Sequence, residues 1–224
     1  MALPIDEVAV TADRANIGQN LRAVWWFDGD RQAVDQEACA TWTEHSGPIA
    51  QAGVALRVRQ VGEATQAITV TNNIMWGARN GWNVHLWSSG MPGRLLGQAV
   101  LSHSFGARDA PLPPLPWRVC ARVVGRSLQF KAWSVAAHPD EPGWGDPGFG
   151  TSFWLPSGWI YPGHAGWYVG HLRGGDEVGY RSLSTGVLEL QVLARVAVST
   201  QMVADDVQRG VADLLSGAVG VSWL

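Results

Sequence analysis

The sequence predicts an all-β chain built from antiparallel sheets, and three observations carry that reading. Between Trp117 and Trp133 apolar and polar residues alternate on either side of Gly125-Arg126-Ser127, the pattern of two half-buried strands joined by a tight turn. The same period of two returns in short runs along most of the 224 residues, each run ending in turn-forming residues. Composition agrees: 46% hydrophobic residues, 16% charged and 27 glycines suit a packed globular β protein with many turns, not a disordered chain.

Taken in order, residues 1–19 read as a lead-in with an edge strand at Glu7–Thr11, and residues 20–186 as one large β domain. Leu21–Phe27 is strand-like and ends at Asp28-Gly29-Asp30. Ala38–Glu44 and Ala52–Gln60 alternate, and Ala67–Thr71 and Trp82–Trp87 follow as successive strands joined through Asn72-Asn73 and the turn-forming pair Asn80-Gly81. Leu95–Phe105 continues the meander. Residues 109–116 hold four prolines and form a rigid connector, since proline cannot donate to a ladder. After the 117–133 hairpin, residues 137–166 read as one long loop rich in Gly, Pro and Trp, a candidate binding edge because long loops in compact domains tend to carry function. Trp167–Leu172 and Glu177–Leu183 resume the strand pattern.

Residues 187–224 differ. Leu188, Leu190, Val192, Ala194, Val196 and Val198 alternate as one long strand, and a short helix follows. Ser199 or Thr200 caps it, Asp205 and Asp206 sit in its early turns, Gly217 ends it, and Val203, Val207, Val211 and Leu215 form an apolar stripe. That stripe packs either on its own sandwich or on a partner subunit.

Charge and motifs exclude several classes. A net charge of −3 and a pI near 6.0 give no electrostatic footprint for nucleic acid or an anionic membrane. No stretch approaches 18 consecutive apolar residues and the start lacks the pattern of a secretion leader, so neither membrane insertion nor a signal peptide is expected. Cys39 and Cys120 are read as two small buried hydrophobes, with a bridge between strands as the alternative. The histidines show no zinc spacing, Asp28, Asp30, Asp35 and Glu37 do not match a calcium loop, and no nucleotide or nucleophile motif occurs, so no metal or cofactor is expected. Asp140, Glu141 and Asp146 read as a solvated acidic loop.

The pattern Trp-x-Val-x-Ala-x-x-x-Gly-x-x-Leu-x-x-Lys-x-Trp from Trp117 to Trp133, followed by Glu141-Pro-x-Trp144, resembles one edge of concanavalin A-like, laminin-G-like domains. The resemblance is strongest over residues 117–183. It implies a two-layered antiparallel β-sandwich of jelly-roll type. Similar lectin-like domains occur in minor tail proteins of phages that infect actinobacteria, and the 15 arginines against the single Lys131 fit a GC-rich host.

Thirteen tryptophans exceed the three tyrosines and five phenylalanines together. Indole is large, stiff and apolar with one N–H donor, which suits both a core and a platform for sugar rings. Trp42, Trp87, Trp117 and Trp133 lie inside strand patterns and read as structural. Trp76, Asn80, Trp82, Trp154, Trp159, Tyr161 and Trp167 lie in or beside Gly-rich and Asn-rich turns and form the expected carbohydrate-binding set. No closely spaced carboxylate pair stands on one strand face, so glycoside hydrolysis is not expected.

The function expected is that of a noncatalytic phage minor tail, or tail-tip, protein. Its expected partners are cell-surface glycan, other virion tail proteins and copies of itself. It is expected to be made in the host cytoplasm and carried in the virion. A purely structural virion subunit is the alternative. A less favoured one is a polysaccharide-active glycosidase that pairs Glu44 with Glu141 or Asp176 through the fold.

Overall fold

The computed structural model describes residues 5–12, 20–27, 31–73, 80–88, 93–108 and 110–188. Two six-stranded antiparallel sheets stack into a sandwich, as the resemblance implies. The strands are β1 (Ile5–Thr11), β2 (Leu21–Trp25), β3 (Gln36–His45), β4 (Gln51–Val61), β5 (Ala64–Asn73), β6 (Gly81–Trp87), β7 (Arg94–Val100), β8 (Trp117–Val124), β9 (Ser127–Ser134), β10 (Gly150–Trp154), β11 (His164–Leu172) and β12 (Glu177–Val187). Sheet A runs β1-β12-β3-β8-β9-β10 and sheet B runs β2-β11-β4-β5-β6-β7. The predicted strand and helix after Leu188, together with Trp76, Asp28 and Asp30, lie outside the described residues.

Alternation builds the core. Ala38, Ala40 and Trp42 of β3, Val119, Ala121 and Val123 of β8, and Leu128, Phe130 and Ala132 of β9 point inward from sheet A. They meet Val54 and Leu56 of β4, Ile68 and Val70 of β5, and Trp82, Val84 and Leu86 of β6 from sheet B. The predicted hairpin is present: Val124 pairs with Ser127 across a two-residue turn in which Gly125 adopts φ +53°, a conformation glycine takes without a Cβ penalty.

Three sequence expectations need correction. Leu95–Phe105 is not all strand, because α1 (Ser102–Phe105) turns the chain inward and packs Phe105 edge-on to Trp117 at 5.2 Å. The 137–166 stretch is not one loop, because β10 lies within it and pairs with β9 at the sheet edge. Gly150 is required there: a Cβ would stand 2.5 Å from the Phe130 carbonyl oxygen. Cys39 and Cys120 are not separate buried hydrophobes. The β3–β8 register sets them directly opposite on the outward face, Cα to Cα 4.1 Å, and they are joined by a disulfide.

One buried side chain ties the sandwich at an end. The Arg57 guanidinium donates from Nε to the Val34 carbonyl at 2.8 Å, from one terminal nitrogen to Gly125 O at 2.6 Å, and from the other to Trp159 O. Its backbone N–H goes to Gln36 Oε1 at 2.9 Å. Thus the lead into β3, the β8–β9 turn and the short 3-10 turn Ser157–Trp159 share one fork of donors.

Candidate functional site on the outer face of sheet A

The structure scatters the predicted carbohydrate-binding set. Trp154, at the end of the edge strand β10, is 66% exposed, with the Arg126 guanidinium 5.4 Å from its ring centre. Trp159 is half-buried in the 3-10 turn, its ring 5.9 Å from that of Tyr161. Tyr161 is buried beneath the Arg59 guanidinium at 3.6 Å, and burial pushes its phenol up to about 12.

Trp82, Trp167, Tyr161 and Asn80 do not form an exposed platform, which corrects the sequence reading. Trp167 is 0% exposed and donates Nε1–H to the Cys39 carbonyl at 2.9 Å, while Trp82 is 1% exposed against Phe105. The Asn80 side-chain amide is spent on the carbonyls of Phe105 and Ala107 at 2.6 and 2.5 Å. The physical reason is strand parity. Trp82 shares its face with Val84 and Leu86, and Trp167 with Ala165 and Val169, so proximity to glycine in sequence did not bring either to the surface.

A denser polar constellation stands on the outward face of sheet A. Outward parity places Glu37, Cys39 and Thr41 on β3, Arg118, Cys120 and Arg122 on β8, and Gln129, Lys131 and Trp133 on β9. The segment 137–149 folds over them. Lys131, 3% exposed, ion-pairs with Glu141 at 2.6 Å and donates to the Pro142 carbonyl at 2.7 Å. Trp144 lies over both cations, 4.3 Å from the Arg122 guanidinium and 4.6 Å from Lys131 Nζ, a pair of cation–π contacts. Trp133, Trp144 and Phe149 bury the disulfide. The acidic loop is solvated as expected, with the Glu141 side chain 54% exposed, but the fold also gives Glu141 a cation to hold. Glu37 approaches the Cys39 sulfur at 3.8 Å, a contact only, because a bridged sulfur carries no proton.

Beside this stack opens a groove of ≈ 470 Å³ lined by Thr41, Arg118, Trp133, Glu141, Arg181 and Ser182, with Val135 and Pro139 at its wall. The Arg118 guanidinium is held by one terminal nitrogen, which donates to Thr41 Oγ1 and to the Ser182 carbonyl, both at 3.1 Å. Burial holds the Arg118 guanidinium below its usual range, and Glu141 and Glu37 partly offset that. Burial also raises the Glu37 carboxyl, against the opposing pull of Arg122 and Lys131. The groove offers hydroxyls, guanidinium donors and one carboxylate, a set that hydrogen-bonds, with the buried Trp133 in its wall.

Of the carboxylates considered for hydrolysis, Glu141 is engaged by Lys131, and Asp176 Oδ2 accepts the Arg173 backbone N–H at 2.9 Å. Among the described residues no three His, Cys, Asp or Glu side chains stand together as a metal site. Asp35 accepts the Gly125 N–H at 2.8 Å and stands 3.9 Å from Arg57. Sequence reasoning missed Thr41, Arg118, Arg122, Arg181, Ser182 and the role of Trp133. The signal available was parity: Arg118, Arg122, Lys131 and Trp133 all fall on the outward positions of the hairpin.

No protein-family model matches the sequence, and no curated protein is significantly similar to it. Among solved structures, the exoplasmic/lumenal domain of VIP36, in a Ca2+/Man3GlcNAc-bound form, superposes with a TM-score of 0.51 at 10% identity, covering 83% of this chain and 80% of that one. The carbohydrate-binding module CBM66 from Bacillus subtilis gives 0.46 at 8% identity over 83% of this chain and 98% of its own. Sheep galectin-11, in a glycerol complex, gives 0.40 at 10% identity over 75% and 98%. At such identities the VIP36 likeness speaks for the fold alone, a concanavalin-like β-sandwich, and the two lower scores add no argument.

Proposed function

We propose that this chain is a noncatalytic glycan-binding protein that serves in a phage virion as a minor tail, or tail-tip, component contacting the host envelope. The observation that carries the binding reading is the groove on sheet A, where hydroxyl, guanidinium, carboxylate and indole groups converge on a space of ≈ 470 Å³. VIP36, whose lumenal domain shares this fold, has a Man3GlcNAc-bound form, which supports the binding reading. The tail assignment rests on the hairpin pattern from Trp117 to Trp133 and on the arginine-rich, lysine-poor composition. In this reading the protein is made in the host cytoplasm, carried in the virion, and assembled with other tail proteins and with copies of itself.

The test is adsorption of the purified protein to a panel of actinobacterial cell-wall polysaccharides, with reducing ends assayed in parallel. Saturable binding without release of reducing ends is expected, and Val135→Trp, which fills the groove wall, is expected to abolish it without lowering the melting temperature. Absence of binding to every polysaccharide would overturn the reading.

A second reading, a structural virion subunit, is favoured by one feature. Exposed Val124 and Trp154 stand in one cross-strand row through Ser127 beside the β8–β9 turn, an apolar surface suited to a protein contact. A discrete oligomer by light scattering, dispersed by Trp154→Ala and indifferent to glycan, would select it.

A further inference from the structure

Five strands contribute to one cross-strand row on the outward face of sheet A. Trp133 of β9 pairs with Arg118 of β8, Arg118 with Thr41 of β3, Thr41 with Arg181 of β12, and Arg181 with Glu7 of β1. Neighbouring strands lie about 4.8 Å apart, so the two arginines rise from backbone positions roughly 10 Å apart on either side of the Thr41 hydroxyl. Both line the groove. We infer that the ligand of this groove is an anionic glycan, one whose sugars or linkages carry oxyanions, held between Arg118 and Arg181.

The charge balance supports this. Glu141, the one carboxylate lining the groove, is neutralised by Lys131 at 2.6 Å. Arg118 spends one terminal nitrogen on Thr41 and Ser182, which fixes its plane, while its Nε and second terminal nitrogen meet no acceptor among the described residues. Arg181 makes no hydrogen bond or ion pair among them, and Glu7 across from it is exposed to solvent. Two guanidinium forks thus keep donors uncommitted among the described residues, Arg118 feeling only the longer-range pull of Glu141 and Glu37. A planar fork held at one corner is pre-organised to take a carboxylate or phosphate through its other donors. The burial that lowers the Arg118 guanidinium is the cost that an incoming anion would offset.

The inference rests on the glycan-binding reading, and one titration separates the two. The full chain is titrated calorimetrically with oligogalacturonate, with the same oligomer as its neutral methyl ester, and with glucose-substituted poly(glycerol phosphate), at low and at raised salt. The expected result is that at least one anionic polymer binds about tenfold or more tighter than the ester, with the gap closing as salt rises. Which polymer binds tells a carboxylate source from a phosphate source. Arg181→Gln is expected to remove most of the gap between acid and ester, and Arg118→Lys, which keeps the charge but not the fork, to narrow it. Equal affinity for acid and ester, or a gap indifferent to Arg181→Gln, overturns the anionic assignment and leaves glycan binding standing. No binding of any of the three, together with none to the wall polysaccharides, overturns both.

Discussion

Lys131 and Glu141 form an ion pair in which only one partner is buried: Nζ and Oε1 are 2.6 Å apart, the lysine is 3% exposed and the glutamate side chain 54% exposed. The asymmetry decides what each truncation does. Glu141→Ala leaves a buried ammonium with the Pro142 carbonyl, the flanking indoles of Trp133 and Trp144 and the longer-range pull of Glu37. A buried charge deprived of its partner is costly, reduced here because solvent already reaches the carboxylate, so a loss of about 1–2 kcal/mol is expected. Lys131→Met removes the buried charge, keeps most of its volume and leaves Glu141 solvated, and is expected to cost less. Urea unfolding of the two variants checks the order.

Arg57 is expected to be far less replaceable. It is wholly buried, and its side chain satisfies the carbonyls of Val34, Gly125 and Trp159. A lysine there carries the charge but cannot reach three acceptors at fixed angles. Arg57→Lys is expected to lower stability by about 3 kcal/mol or more, since each buried acceptor left alone costs about 1–3. A shift in urea midpoint below that of Glu141→Ala would show that the tie between the β8–β9 turn and the 3-10 turn contributes little.

How far the sequence showed these features depends on whether local pattern or long-range register creates them. The strands and the hairpin at Gly125 were legible because side-chain period and turn chemistry are local. Strand β10 was not, because Gly-Thr-Ser-Phe-Trp is short, lacks alternation and sits among glycines and prolines, so only the neighbouring β9 makes it a strand. The groove was less legible still. Thr41, Arg118 and Arg181 are joined by pairing across three strands that are distant in sequence, and nothing local to Arg181 marks it. Trp154 is exposed because it stands at a sheet edge, whereas Trp82 and Trp167, also expected at the surface, are buried because strand parity outweighs the nearby turn residues.

Glu37 gives a pH dependence of determinate sign. Burial raises its carboxyl above the reference value of 4.5, so the folded state holds this proton more tightly than the unfolded chain. The resulting stabilisation is present in full below pH 4.5 and is lost as pH rises through the folded-state value. At pH 7 the ionised carboxylate is a burden that Glu37→Gln removes. The variant is expected to have a higher urea midpoint than the parent at pH 7 and no such advantage at pH 4. An equal effect at both pH values would show that burial of the charge is not the cause.

The two kinds of tryptophan in this chain separate by experiment. Trp167 fills the space between the sheets, with the Phe27 ring edge-on at 4.7 Å, Trp25 at 6.2 Å and its N–H satisfied by Cys39 O. Replacing such a residue by alanine leaves a cavity and frees a buried carbonyl, and Trp167→Ala is expected to cost about 3–5 kcal/mol. Trp154 has no comparable packing: it stands at a sheet edge with one guanidinium beside it. Trp154→Ala is therefore expected to change stability by less than about 0.5 kcal/mol. If the edge of sheet A belongs to the glycan-contacting face, the same substitution weakens adsorption to wall polysaccharide; if it belongs to a subunit contact, it changes the mass in solution. Thermal melts of both variants, with adsorption and light scattering of Trp154→Ala, assign each ring its work, and a large loss of stability in Trp154→Ala would show that its exposed face is not its main surface.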